Sequence, residues 1–112
     1  MQHAMRLTKE LFESVARGGK VIESRLFDEK RKAIKLGDEI MFSENDHPNN
    51  NVKSVVIGLL HYQSFKDLFA DHDPALFGGE SEEQLLSQIK QFYSDEDEQK
   101  DGVLGIRLRL TK

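Results

Sequence analysis

Gly18-Gly19-Lys20-Val21-Ile22-Glu23-Ser24-Arg25 places three charged side chains in a stretch that otherwise reads as a strand, directly behind a pair of glycines. Upstream, Leu11, Phe12, Val15 and Ala16 form the apolar stripe of a helix. Thr8 is its expected N-cap, and Leu7 can pack on Phe12 as a hydrophobic staple. Gly18 and Gly19 end that helix, because glycine enters the left-handed region without a Cβ clash. The chain then continues as an expected strand over Lys20–Phe27. Strict alternation puts Lys20, Ile22 and Ser24 on one face and Val21, Glu23 and Arg25 on the other. Lys20 and Glu23 can therefore share a cleft only if the backbone twists or bulges near Gly19–Lys20.

Outward from this stretch, His3–Leu7 reads as a first strand and Asp28–Lys35 as a short charged helix. Gly37-Asp38 turns the chain into a strand over Glu39–Phe42. Asp46–Asn51 is dense in turn residues and reads as an exposed loop. Val52–Tyr62 is rich in β-branched residues and predicts a long strand kinked at Gly58. Ser64 caps a short helix carrying Phe65, Leu68 and Phe69, and Asp73-Pro74 and Gly78-Gly79 break the stretch beyond it. Ser81-Glu82-Glu83-Gln84 has the form of a capping box, with Leu85, Leu86, Ile89, Phe92 and Tyr93 at helical spacing behind it. Phe92 and Tyr93 thus read as core, and Asp95-Glu96-Asp97-Glu98 as a solvated loop. Leu104–Leu110 alternates cleanly as a half-buried strand. Five strands with helices inserted between them predict an α+β fold with a small, strongly bent sheet or barrel.

The 112 residues fit one domain, expected to span 1–112, with no repeat and no linker. Cysteine is absent, which excludes disulfide frameworks and thiol nucleophiles. His3, His47, His61 and His72 lack metal-ligand spacing, and neither a metal nor another cofactor is expected. No apolar run approaches the roughly 20 residues of a membrane helix, and the first residues lack the apolar core of a secretory signal. A cytoplasmic location without membrane contact is the expectation. The formal net charge of −4 hides a segregation. Residues 1–35 carry nine Lys and Arg against five Asp and Glu, whereas residues 36–112 carry seven against fifteen. Lys20, Arg25, Lys30, Arg31, Lys32 and Lys35 fall within sixteen positions. An acidic average is thus compatible with a local polyanion site, though a small one.

The pattern G-x-K-x-x-E-x-R in GGKVIESR, followed by KRKAIKLGD at 30–38, resembles the activating-signal-cointegrator homology (ASCH) family. The resemblance continues in Tyr62-Gln63-Ser64-Phe65, Phe92-Tyr93-Ser94 and the closing strand over 102–110, and so covers nearly the whole chain. It implies a PUA-like fold, a small β-barrel of about five strands with helices packed around it and a cleft at one side. It also implies an RNA-related role, because PUA-like domains commonly bind RNA. Some members look like ribonucleases, and some act as amidohydrolases on N4-acetylcytidine.

Three functional readings are open. In the first, the domain binds RNA or a modified nucleoside in a cleft lined by Lys20, Glu23 and Arg25. Lys30 and Arg31 then attract phosphate at its rim, and Tyr93 offers its ring for base stacking. Lys20 supplies a mobile point charge, Arg25 a planar fork for phosphate or a carbonyl edge, and Glu23 an acceptor for an exocyclic amine. In the second, the same cleft is catalytic. A partly buried Lys20 serves as general base, with Glu23 as its partner and His61 as a further acid or base for RNA cleavage. The amidohydrolase pattern resembles a Lys followed three residues later by a Thr nucleophile, with a distant carboxylate. Glu80, Glu82 or Glu83 could supply the carboxylate, but Glu23 occupies the Thr position and Ser24 is one residue off. In the third, Lys20, Glu23 and Arg25 form an internal ion network that only braces the fold.

Overall fold

The computed structural model describes residues 1–111; Lys112, the last residue of the expected domain, lies outside them. Strand β1 (Gln2–Leu7) pairs in parallel with β3 (Glu39–Glu44). The long β4 (Asn51–Tyr62) pairs antiparallel with β3 on one side and with β5 (Val103–Leu110) on the other. Strand β2 (Ile22–Leu26) then adds antiparallel to β5, giving the order β1-β3-β4-β5-β2. Between Val56 and Gly58 the β4–β5 register shifts, the irregularity foreshadowed by Gly58. A Cβ on Gly58 would stand 3.1 Å from the Arg107 side chain, a tight fit that glycine relieves at the bend. The sheet curls into a half-barrel of the expected α+β, PUA-like kind, with β1 and β2 as its edges.

Each face of the sheet buries its own core. Helix α1 (Lys9–Ala16) lays Phe12 and Val15 against Leu7, Phe42, Leu104 and Ile106. On the opposite face Ile22, Leu26 and Val103 pack on α3 (Phe65–Ala70), on Phe77 of a 3-10 turn over Pro74–Phe77, and on α4 (Glu82–Ile89). Gly105 permits that approach, since a Cβ would meet Leu68 at 2.9 Å. A one-turn α2 (Glu29–Lys32) follows β2, capped by Asp28, whose carboxylate accepts from the Arg31 N–H. No helix among the described residues is long and apolar enough to cross a membrane.

Several local expectations change. Thr8 occupies the N-cap of α1, but its side chain makes no capping bond. The Gln84 side chain accepts from Glu80 N–H rather than closing a box on Ser81. Helix α4 ends at Ile89, so Phe92 leaves the apolar stripe and is largely exposed, while Tyr93 still packs against the core. The acidic run is no loop: Asp95–Asp101 forms α5, started by a reciprocal Ser94–Asp97 capping box. Four carboxylates in its first turn face the positive end of the helix dipole, which favours a helix where a charge count suggested coil. Glu98 reaches out of that helix and accepts from the Phe65 N–H at 2.7 Å, capping α3 as well. Replacing Glu98 by Ala should therefore cost about 0.5–2 kcal/mol, whereas Glu96→Ala, on the exposed side, should be near neutral. Paired urea titrations check this difference; equal midpoints would remove the cap assigned to Glu98.

Candidate functional site

Where α1 stops, the chain makes a Schellman turn. Gly19 N–H bonds to Ser14 O and Gly18 N–H to Val15 O, with Gly18 at φ +81°. Lys20 N–H also donates to Ser14 O, and strand pairing begins only at Ile22. Lys20 thus stands outside the strand, in the irregular segment that alternation required. Its side chain can swing beneath the sheet edge to meet Glu23, with Nζ 3.1 Å from Glu23 Oε1. Gly78 helps, because the turn carrying Phe77 O passes against Lys20 where a Cβ would crowd Ser14 and Lys20.

The resulting cluster is buried and nearly closed on itself. Lys20 is 5 % exposed and Glu23 4 %. Lys20 Nζ donates to Ile22 O at 3.0 Å and to Phe77 O at 3.1 Å, with Glu23 as its third oxygen neighbour. The ammonium donates to two carbonyls and pairs with the Glu23 carboxylate as its counter-charge. Glu23 Oε1 also accepts from Ser24 N–H, an amide on the free edge of β2. Glu23 Oε2 accepts from Arg25 Nε at 3.2 Å and Nη2 at 2.9 Å. The four acceptor positions of the carboxylate are thereby filled. Burial alone would raise the Glu23 carboxyl, but the Lys20 and Arg25 charges and hydrogen bonds outweigh it and bring it down to about 2. Arg25 is pushed the other way: burial lowers it, yet the Glu23 carboxylate, helped by Tyr93, raises it above its ordinary value.

Arg25 alone of the three reaches the surface. Its Nη2 also donates to Arg6 O at 3.3 Å, so the guanidinium spans the opening between edge strands β2 and β1. The Tyr93 hydroxyl also lies against the guanidinium. Two concavities meet at this side chain. A cleft of about 120 Å³ lies between β1, α1 and the end of α4, bounded by Thr8, Leu11, Glu23, Ser24, Phe92 and Tyr93. At roughly 30 Å³ per water it holds about four waters, well short of a site for a whole drug-sized ligand. A wider basin of about 510 Å³ opens on the other side, with Arg6, Arg25, Lys30 and Arg31 on its walls and no carboxylate among its lining residues. Arg31 is held by Asp28 at 3.2 Å, and its buried Nε finds no acceptor.

The structure therefore separates the residues that the sequence grouped. Lys20, Glu23 and Arg25 converge; Lys30 and Arg31 join Arg25 through the basin instead of the cleft. Tyr93 borders the cleft, but its ring stacks on Phe65 at 5.6 Å and 11°. Lys20 is buried, and its Nζ is turned onto Ile22 O, Phe77 O and Glu23. Glu23 has no lone pair left for an amine. His61 packs edge-on against Phe27 and borders neither concavity, and Glu80, Glu82 and Glu83 border neither. Among the described residues no three His, Asp or Glu gather as a metal site. Arg6 and Phe92 were missed. Arg6 lies in a first strand read only for its apolar face, and Phe92 was assigned to the core.

An ASCH domain model matches residues 5–112. The crystal structure of hypothetical protein PH0355 superposes with a TM-score of 0.87 at 35% identity, covering 99% of this chain and 100% of that one. A solution structure of a Pyrococcus furiosus protein gives 0.74 at 31%, covering 100% and 99%. The ASCH domain from Lactobacillus crispatus gives 0.62 at 14%, covering 97% and 79%, a likeness of fold alone. Comparison with curated proteins returns no match. The chain belongs to the ASCH domain family.

The buried carboxylate makes stability depend on acid. Because Glu23 sits at about 2 against an ordinary 4.5, its stabilisation is complete above about pH 4.5 and is lost as pH falls towards 2. The expected loss is roughly 3 kcal/mol. Asp38, also held at about 2 by His3 and the Lys35 N–H, titrates in the same window. Glu23→Gln should cost about 3–5 kcal/mol at pH 7, since two buried cations lose their counter-charge, and should flatten the acid limb. Urea unfolding from pH 7 to 2.5 tests this, and parallel curves for variant and wild type would count against it.

Proposed function

We propose that this ASCH domain binds single-stranded RNA or a modified nucleoside at the opening between β1 and β2, with Arg25 as the central contact. The observation that carries the reading is the arrangement of the charged cluster. Lys20 and Glu23 are buried and turned on each other, while Arg25 reaches the surface at the junction of cleft and basin. A guanidinium whose Nε side is fixed by a carboxylate is preorganised to present its other edge to a phosphate or base carbonyl. Arg6, Lys30 and Arg31 give the basin a positive wall for the adjoining backbone phosphate. Lys20 and Glu23 act in this reading as the brace that aims Arg25. The domain-wide charge of −4 limits the contact to a few phosphates.

A catalytic version of the same site lacks a base. Ribonuclease action needs a group within reach of the substrate's proton, and Lys20 Nζ is turned inward onto Ile22 O, Phe77 O and Glu23. Hydrolysis of N4-acetylcytidine needs a nucleophile where Glu23 stands, and that carboxylate is saturated.

Fluorescence anisotropy with labelled single-stranded RNA at several salt concentrations provides the test. Arg25→Ala, and Arg25→Lys as a charge-keeping companion, should weaken binding roughly tenfold or more. Lys30→Ala and Arg31→Ala should each flatten the log–log salt slope by about 0.7. Unchanged affinity in both Arg25 variants would refute the assigned site.

A further inference from the structure

Phe92 is 61 % exposed, although it sits in the turn between α4 and α5 beside a well-filled apolar core. It borders the 120 Å³ cleft and also a smaller concavity of about 50 Å³ that reaches Lys20, Glu23 and Phe77. A large aromatic ring left in water at the mouth of a cleft forgoes the stabilisation that burial would give it. Its neighbour Tyr93 is committed to the fold through its stack on Phe65. Phe92 is therefore the aromatic ring at this mouth with an open surface.

The cleft narrows the choice of occupant. It holds about four waters, which suits one flat ring but not a bulky side chain or a whole nucleoside. Arg25 is the charged donor on its wall, beside Thr8, Ser24 and Asn45, which donate or accept, so a ring with both acceptors and donors on its edge suits it. The basin beyond Arg25 is lined by cations, so the same ligand should carry an anion next to the ring. A nucleobase attached to a sugar–phosphate satisfies all three conditions. We infer that Phe92 is the stacking platform for a single nucleobase, whose edge faces Arg25 and whose phosphate enters the basin. The inference rests on the RNA-binding reading and adds the residue that demands a base. A chain of phosphates without bases should not be held.

The chain has no tryptophan, so Phe92→Trp creates a single fluorescent reporter at this position. The probes are a pool of random-sequence single-stranded RNA octamers and an abasic ribose-phosphate octamer of equal charge, each labelled for anisotropy. Binding of the RNA pool should quench the indole emission of Phe92→Trp. The abasic octamer should bind weakly and leave the emission unchanged. Phe92→Ala should lose roughly tenfold in RNA affinity at an unchanged melting temperature, since the ring it removes is largely exposed. Tight RNA binding by wild type and Phe92→Ala alike, or anisotropy without quenching in Phe92→Trp, would overturn the stacking role and leave RNA binding standing. Absence of RNA binding by wild type would overturn both.

Discussion

A carboxylate buried to the degree of Glu23 cannot remain charged without partners, and its partners organise the rest of the site. Lys20 must leave the strand to reach it, which fixes the irregular segment after Gly18-Gly19. The same ammonium ties the 3-10 turn to β2 through Phe77 O, and Glu23 satisfies an edge amide that would otherwise invite another strand. Arg25, pinned on one side by Glu23, reaches across to Arg6 O and spans the gap that the half-barrel leaves open. One buried anion thus holds two cations, one turned inward and one turned to the opening. Replacing either cation would leave the buried anion with a single counter-charge, a larger perturbation than losing a surface pair.

The sequence made much of this architecture legible because its strong signals are local. Ser64 before Phe65, the glycines after α1 and the alternation of Leu104–Leu110 each dictate backbone without reference to distant residues. The requirement that Lys20 depart from strand geometry also came from alternation alone. What escaped was set by contacts between segments far apart in the chain. Glu98 looked like one more solvated carboxylate until the fold brought Phe65 N–H to it, 33 positions away. Phe92 looked like core until Ser94 started a new helix and cut the apolar stripe at Ile89. The roles of Lys20 and Glu23 turned on buried hydrogen bonds, which depend on Phe77 O and Ser24 N–H and have no signature in residue spacing.

The charge segregation takes a physical form in the fold. The acidic portion of the chain contributes α5, where its carboxylates face a helix N-terminus and cap a neighbouring helix. The basic portion supplies Arg6, Arg25, Lys30 and Arg31 to one basin at the sheet opening. Neither helix caps nor the basin are visible in a net charge of −4. Membership in the ASCH family rests on the matched model and on relatives at 35% and 31% identity, whereas the 14% likeness to the Lactobacillus crispatus domain speaks only for the shared scaffold. Function therefore has to follow from this chain's own side chains.

The most direct test of the central claim is a crystal structure of the domain with a short single-stranded RNA. The account predicts RNA at the β1–β2 opening, contacted by Arg25, with the Lys20–Glu23 pair and the Lys20 bond to Phe77 O intact. RNA bound on another face, or a Lys20 ammonium that abandons Glu23 and Phe77 O to contact the ligand, would contradict it.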